Sequence, residues 1–223
     1  MAINHLQTTA EDWQVSVAQV VAATEAEGPG RRFAVWFQGC PLRCPGCCNP
    51  EFLPFSGGLP FTVNQLLGQI ELARNEHQVE GVSLIGGEPF AHLPAAGKLA
   101  AGVQALGLSV MVYSGYTLAE IHAWQQPAAA ELLAHTDLLV DGPYLRDQPE
   151  TTRRWIGSSN QQLHFLTPFY QPDDPRFHTP NTLEIRLENG HITINGFPAP
   201  AAVGLWKRLD KHQQPKAKTD NVG

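Results

Sequence analysis

No segment of this 223-residue chain approaches the roughly 18 consecutive apolar residues of a membrane span. Its opening residues, MAINHLQTTAEDW, lack the basic start and apolar run of a secretory signal. A basic stripe is missing as well. Lys and Arg number 15 against 21 Asp and Glu, the net charge is −6, and the cations are dispersed. Nucleic acid demands a basic footprint, so that class of partner is not expected. Lys207, Arg208, Lys211, Lys216 and Lys218 read as a solvated helix end and a frayed terminus rather than a binding arm. Cysteine is scarce: the chain has 4, and Cys40, Cys44 and Cys47 fall in one short stretch. A chain this long can bury its own core, and clustered thiols are not a disulfide framework. Cytoplasmic residence in a reducing compartment, with no membrane partner, is the expectation.

What cysteine there is lies in a turn-rich loop, GCPLRCPGCCNPE. Pro41, Pro45 and Gly46 keep this loop from becoming helical, so the chain must curl around something compact. The C-x3-C-x2-C spacing supplies three thiolates. A four-iron cluster is normally held by four, so three would leave one iron open to a small molecule. Structural zinc, the plainer alternative, wants four ligands, and there is no second C-x2-C. His5, His77 or His92 could complete a zinc site, but none stands at a telling spacing. A buried, purely structural cysteine cluster is the other alternative. Cys48 follows Cys47 directly, and adjacent side chains diverge along an extended chain. It reads as an inert or partly exposed thiol.

Near-continuous apolar runs at Arg32–Phe37, Val82–Ile85, Ser109–Tyr113 and Leu138–Val140 predict strands covered on both faces, with a fainter one at Leu163–Leu166. Thr62 can cap a helix whose apolar face is Val63, Leu66, Leu67, Ile70 and Ala73. Further helices are predicted over Pro94–Leu106 and after Thr117, where Leu118, Ile121 and Trp124 share a side. Alternating strands and helices imply an α/β fold with a largely parallel sheet. The units are too few for an eight-fold barrel, so an open, partial parallel βα barrel is expected, with its ligands at the carboxyl ends of the strands. From about Pro168 the chain turns irregular and proline-rich. The run LEIRLENGHITINGF then predicts a β-hairpin around Asn189–Gly190, Ala199–Lys211 one more helix, and the last residues a disordered tail. The expected division is a core over 13–167, an extension over 168–212 and a tail over 213–223.

After the second of these strands comes Gly86-Gly87-Glu88-Pro89. Two glycines at a strand end let a ligand approach the backbone, although such turns are often only structural, and Glu88 alone reads as a solvated or capping carboxylate. Together, the cysteine loop after a first strand and GGEP after a second resemble the radical S-adenosylmethionine (SAM) superfamily. Within it, the chain is similar to the activating enzymes of anaerobic ribonucleotide reductase. That resemblance is carried by GPGRRFAVWFQGC (28–40), CPGCCNPE (44–51), SLIGGEPF (83–90), YSGYTLAEI (113–121), DLLVDGPY (137–144) and RWIGSSNQ (154–161).

The resemblance implies that Cys40, Cys44 and Cys47 ligate a [4Fe–4S] cluster whose fourth iron is chelated by the amine and carboxylate of SAM. It further implies that Gly86, Gly87 and Glu88 hold the methionine end and that the backbone of Gly46–Cys48 runs past the cofactor. The implied reaction is reductive SAM cleavage to a 5′-deoxyadenosyl radical, which needs no side-chain acid, base or nucleophile. The implied partners are a large glycyl-radical reductase subunit and a small electron donor such as a flavodoxin. Two departures stand out: Cys48 replaces the usual His or Tyr, and Ile156 interrupts a stretch usually read RWRGSSNQ. Modification of a peptide or small metabolite, and a non-catalytic metal-binding module, are the competing readings.

Overall fold

The computed structural model describes residues 12–188 and 191–197. In chain order the strands and α-helices are β1 (Gln14–Thr24), β2 (Arg32–Phe37), β3 (Leu59–Thr62), α1 (Val63–His77), β4 (Gly81–Ile85), α2 (Ala95–Ala105), β5 (Ser109–Tyr113), α3 (Leu118–Ala123), α4 (Pro127–Ala134), β6 (Leu138–Asp141), β7 (Gln162–Phe165), β8 (Leu183–Glu188) and β9 (His191–Gly196). Seven strands form one sheet in the order β3-β1-β2-β4-β5-β6-β7, and β8 pairs only with β9. The β2, β4, β5 and β6 pairings are parallel. Antiparallel strands flank them: β1 and β3 on one side, β7 on the other. The predicted parallel strands are therefore the centre of a mixed sheet with a separate β-hairpin.

Register explains why those strands read as unbroken apolar runs. Phe33 aligns with Val82, Val35 with Leu84, Leu84 with Val112, and Val112 with Leu139. This face buries Leu66 and Ile70 of α1, Leu99 and Val103 of α2, Ile121 of α3 and Leu132 of α4. The opposite face carries Ala34, Trp36, Ile85, Met111, Tyr113, Leu138 and Val140. Among the described residues no helix packs there. It is covered by Trp155, Ile156, Tyr170, Phe177 and Phe197, all from beyond β6. Both helix starts marked by threonine are capping boxes, Thr62 with Gln65 and Thr117 with Glu120.

Three elements went unanticipated. β1 mixes Gln and Ala with valine and becomes a strand by pairing between β2 and β3. β3 is only LPFT, an edge strand that tolerates Pro60. α4 is a short PAAAELLA segment with Pro127 in its first turn. The predicted hairpin is present as β8–β9 in register Leu183↔Gly196 to Glu188↔His191. Its Asn189–Gly190 turn, the predicted 199–211 helix and the tail lie outside the described residues.

The hairpin is inverted relative to a usual surface ribbon. Its polar side turns inward: Arg186 donates to the Ala23 carbonyl (2.6 Å), and Asn195 Nδ2 donates to Thr24 Oγ1 (2.9 Å). Ile185, Leu187 and Ile192 face outward, with Leu187 72% exposed. Instead of extending a sheet edge, the ribbon sits on the turn between β1 and β2.

Candidate active site

Cys40 follows β2 by three residues, and the chain there is held from both sides. Gly39 and Cys40 donate their N–H groups to the carbonyls of Phe52 (2.8 Å) and Leu53 (3.0 Å). Gln38 Nε2 donates to the carbonyls of Glu51 and Pro54. The loop closes on itself through Cys47 N–H to the Cys44 carbonyl at 3.1 Å. Left-handed residues Gly39, Arg43 and Gly46 provide the curl that the prolines and glycines predicted.

Cys40 is buried, Cys44 and Cys47 are half-buried, Cys48 is exposed, and all four are free thiols. Burial pushes the Cys40 and Cys47 thiols up, and neighbouring cysteine charges add to this in both cases. Backbone N–H groups work the other way, those of Arg43 and Leu42 on Cys40 and that of Asn49 on Cys47. Thiols that sense one another's charge while backbone donors point at their sulfurs form a donor set suited to a multi-iron cluster. Among the described residues no three His, Cys, Asp or Glu side chains close on a single ion. A cubane spreads its thiolates over separate corners, a wider arrangement than one tetrahedral ion takes. His77 ends α1, and its carbonyl accepts from Arg31 just before β2, at the far end of the strands from Cys40. His92 stacks on Phe37 at 5.1 Å, so it packs against the strand that leads into the loop. His5 lies outside the described residues.

Loops after all four parallel strands meet here. GGEP follows β4, and Glu88 N–H donates to the Gly39 carbonyl at 3.0 Å. Ser114 and Gly115 follow β5, where a β-carbon on Gly115 would stand 2.5 Å from Leu42 of the cysteine loop. After β6, the Tyr144 hydroxyl is within hydrogen-bonding reach of the Cys48 thiol, and Arg146 packs over Gly46. The GSSNQ stretch braces that last loop. Ser158 Oγ accepts from Leu145 N–H, and Asn160 and Gln161 donate to the carbonyls of Pro143 and Gly142. Ile156 is buried beside Trp155 in the core, so position 156 offers no anion contact.

The glycines of GGEP do something other than leave room for a ligand side. Both have positive φ, +57° at Gly86 and +48° at Gly87. A β-carbon on Gly86 would meet Trp36 at 2.4 Å, and one on Gly87 would meet the backbone oxygens of Gly39 and Phe37 at 2.6 Å. The space a side chain would need belongs to the end of β2. A Gly87→Val substitution is therefore expected to separate GGEP from the cysteine loop and lower iron uptake as well as SAM affinity. Full iron content with weakened SAM binding alone would count against this.

Glu88 is not solvated. Its carboxylate is buried and accepts from Phe90 N–H (3.0 Å), Ser114 Oγ–H (3.0 Å) and Gly115 N–H (2.8 Å). It caps the short turn after β4, as a capping carboxylate would, and joins the β4 and β5 loops. Burial pushes its pKa up to about 7 against those donors, and burial does the same to Glu27, a carboxylate that nothing in the sequence marked. Each carboxyl holds its proton to higher pH when folded than when unfolded, so its stabilising effect is full below pH 4.5 and is lost as pH rises through about 7. The expected loss is at most roughly 3 kcal/mol per carboxyl. Buried His92 opposes this as pH falls below its ordinary 6.5. Urea unfolding of the metal-free chain should give a higher midpoint at pH 5.5 than at pH 8. A reversed order would mean that the donors keep both carboxyls ionised.

A family profile described as a 4Fe-4S single cluster domain matches residues 26–164. The chain is 34% identical over 146 residues to the anaerobic ribonucleoside-triphosphate reductase-activating protein of Escherichia coli (strain K12), covering 62% of this chain and 91% of that one. The protein of the same name from Vibrio cholerae serotype O1 is 33% identical over 147 residues, 63% and 91% of the two chains. That of Enterobacteria phage T4 is 30% identical over 142 residues, 61% and 85%. A crystal structure of QueE from Escherichia coli overlaps 47% of this chain and 53% of its own at a TM-score of 0.35 and 20% identity, too slight a likeness to carry an argument.

Proposed function

The chain belongs to the family of anaerobic ribonucleoside-triphosphate reductase-activating proteins and to the 4Fe-4S single cluster domain family, and from that premise we propose that it is a radical SAM enzyme that places a glycyl radical on such a reductase. Cys40, Cys44 and Cys47 would hold the cluster, leaving one iron for the amine and carboxylate of SAM. Bound there and reduced, the group would supply the one-electron reductive cleavage of SAM. The chain's own residues then have three tasks: to seat the cofactor, to exclude water and to admit one substrate hydrogen.

The observation that carries this reading is the convergence of the four loops on the three thiols. Glu88 fixes the spacing between the β4 and β5 loops, with both carboxylate oxygens already accepting from protein donors, so its assigned role is to position the methionine end rather than to react. Gly86 and Gly87 bring backbone N–H groups beside the cysteine loop, where an α-carboxylate could be received. Gly46 and Cys48 flank the third thiol, and Tyr144 steadies Cys48. No helix among the described residues is long and apolar enough to cross a membrane. Cytoplasmic residence, a partial-barrel curvature of the sheet, a core ending near residue 167 with an extension over 168–212, and a flavodoxin-like electron donor complete the proposal.

The test is reconstitution without oxygen. Iron and sulfide at about four per chain, 5′-deoxyadenosine formed on reduction with SAM, and a glycyl radical doublet on an added anaerobic reductase are expected. One zinc per chain with no 5′-deoxyadenosine would overturn the proposal. SAM cleavage without a doublet would redirect it to another hydrogen donor.

A further inference from the structure

Beyond the family match, the last described residue of the extension reaches the strand layer beneath the site. The profile stops at residue 164, yet β8 and β9 are fastened to the turn between β1 and β2 by polar contacts, those of Asn195 buried. Glu184 accepts from Glu25 N–H at 2.7 Å, and Asn195 (4% exposed) reaches the buried Glu27 carboxylate at 3.4 Å. Gly196 closes so tightly, at φ +104°, that a β-carbon would meet the Thr182 carbonyl at 2.4 Å and Ala26 at 2.7 Å. The next residue, Phe197, stacks on Tyr113 with ring centroids 6.2 Å apart and 24° between planes.

Tyr113 is the last residue of β5 and packs in one layer with Trp36 and Ile85, on the face without helices. Trp36 is the side chain pressed against Gly86. Phe197 thus lies against the layer directly beneath GGEP and the cysteine loop. The Tyr113 hydroxyl in this layer is buried, with no hydrogen-bond partner among the described residues, so the space beside it is screened from solvent.

We propose that the hairpin is a wall of the reaction chamber and that Phe197, through Tyr113, is a positioning residue that keeps stray hydrogen donors from the carbon radical. The inference rests on the function proposed above. In the productive step, the 5′-carbon radical takes one hydrogen atom from a glycine Cα, giving one 5′-deoxyadenosine and one glycyl radical. If the wall leaks, the same radical takes its hydrogen from a buffer solute, and a 5′-deoxyadenosine forms with no glycyl radical.

The experiment uses the reconstituted full chain with an anaerobic reductase, and reads 5′-deoxyadenosine by chromatography against glycyl radical by spin counting. Phe197→Ala is expected to keep its iron and its SAM cleavage while the ratio of nucleoside to radical rises several-fold. Phe197→Val, a smaller truncation that stays apolar, should raise the ratio less but measurably and stands in should the alanine variant not fold. Ile185→Ser, on the outward face, should leave the ratio unchanged. A wild-type ratio in both Phe197 variants overturns the inference, as does an equal rise in Ile185→Ser. Absence of any glycyl radical with the unaltered chain would instead defeat the functional reading itself.

Discussion

Alanine at Cys40, Cys44 or Cys47 is expected to take iron from about four per chain to near zero and to abolish 5′-deoxyadenosine formation. If these three are the ligands, as proposed, there is no spare thiolate, and removing one would leave two irons without protein donors. Cys48 is the nearest possible substitute, but it is the exposed one of the four thiols and its side chain diverges from that of Cys47. Cys48→Ala should therefore keep full iron and SAM cleavage. That contrast separates cluster ligation from a general requirement for thiols in the loop. Iron counting with the absorbance of the anaerobic protein is the direct check. Loss of the cluster in Cys48→Ala, or its retention in any of the other three, would reassign the ligands.

The curl of the thiol loop was legible because its causes are local: Pro41, Pro45 and Gly46 all lie among the cysteines. The central strands were legible for a different reason. Burial on both faces leaves an unbroken apolar run, and β2, β4, β5 and β6 fall where such runs lie. Features created by pairing could not be read this way. β1 has its conformation from β2 and β3, and the roles of Gly86 and Gly87 come from Trp36 and the end of β2, some 50 residues earlier. Glu27 and Glu88 look like surface carboxylates in the sequence and become buried only through the loops that close over them. The extension gave the clearest misdirection. Its alternation predicted a ribbon correctly, but alternation cannot say which side faces the protein, and here the polar side does.

Arg32 is the largest such surprise and carries the second major expectation. It opens what reads as an apolar strand, and it is fully buried with no carboxylate against it among the described residues. Its guanidinium donates instead to uncharged acceptors: Ser83 Oγ (2.7 Å), Ser109 Oγ (3.0 Å), Tyr170 Oη (3.0 Å), and the carbonyls of Pro29 (3.1 Å), Val82 (2.6 Å) and Ser109 (3.3 Å). A guanidinium cannot shed its proton to escape burial, so these bonds must offset its desolvation. They tie the amino ends of β2, β4 and β5 to Tyr170, the first residue of the extension to reach the sheet's helix-free face. Arg32→Met keeps much of the volume but strips those acceptors of their donor. Hydrogen bonds to a charged group contribute about 1.5–3 kcal/mol each, so even partial rehydration should leave a loss of about 3 kcal/mol or more. In a chain of this size, that is a fall of roughly 10 °C in Tm. Arg32→Lys should recover little, because an ammonium has three donors on a point charge and cannot span the fork. Amide exchange should quicken first around Tyr170, before the central strands open. A stable Arg32→Met protein with unchanged exchange there would mean that the buried charge and its six acceptors cancel, and that the extension is held by the hairpin and its aromatic cluster alone.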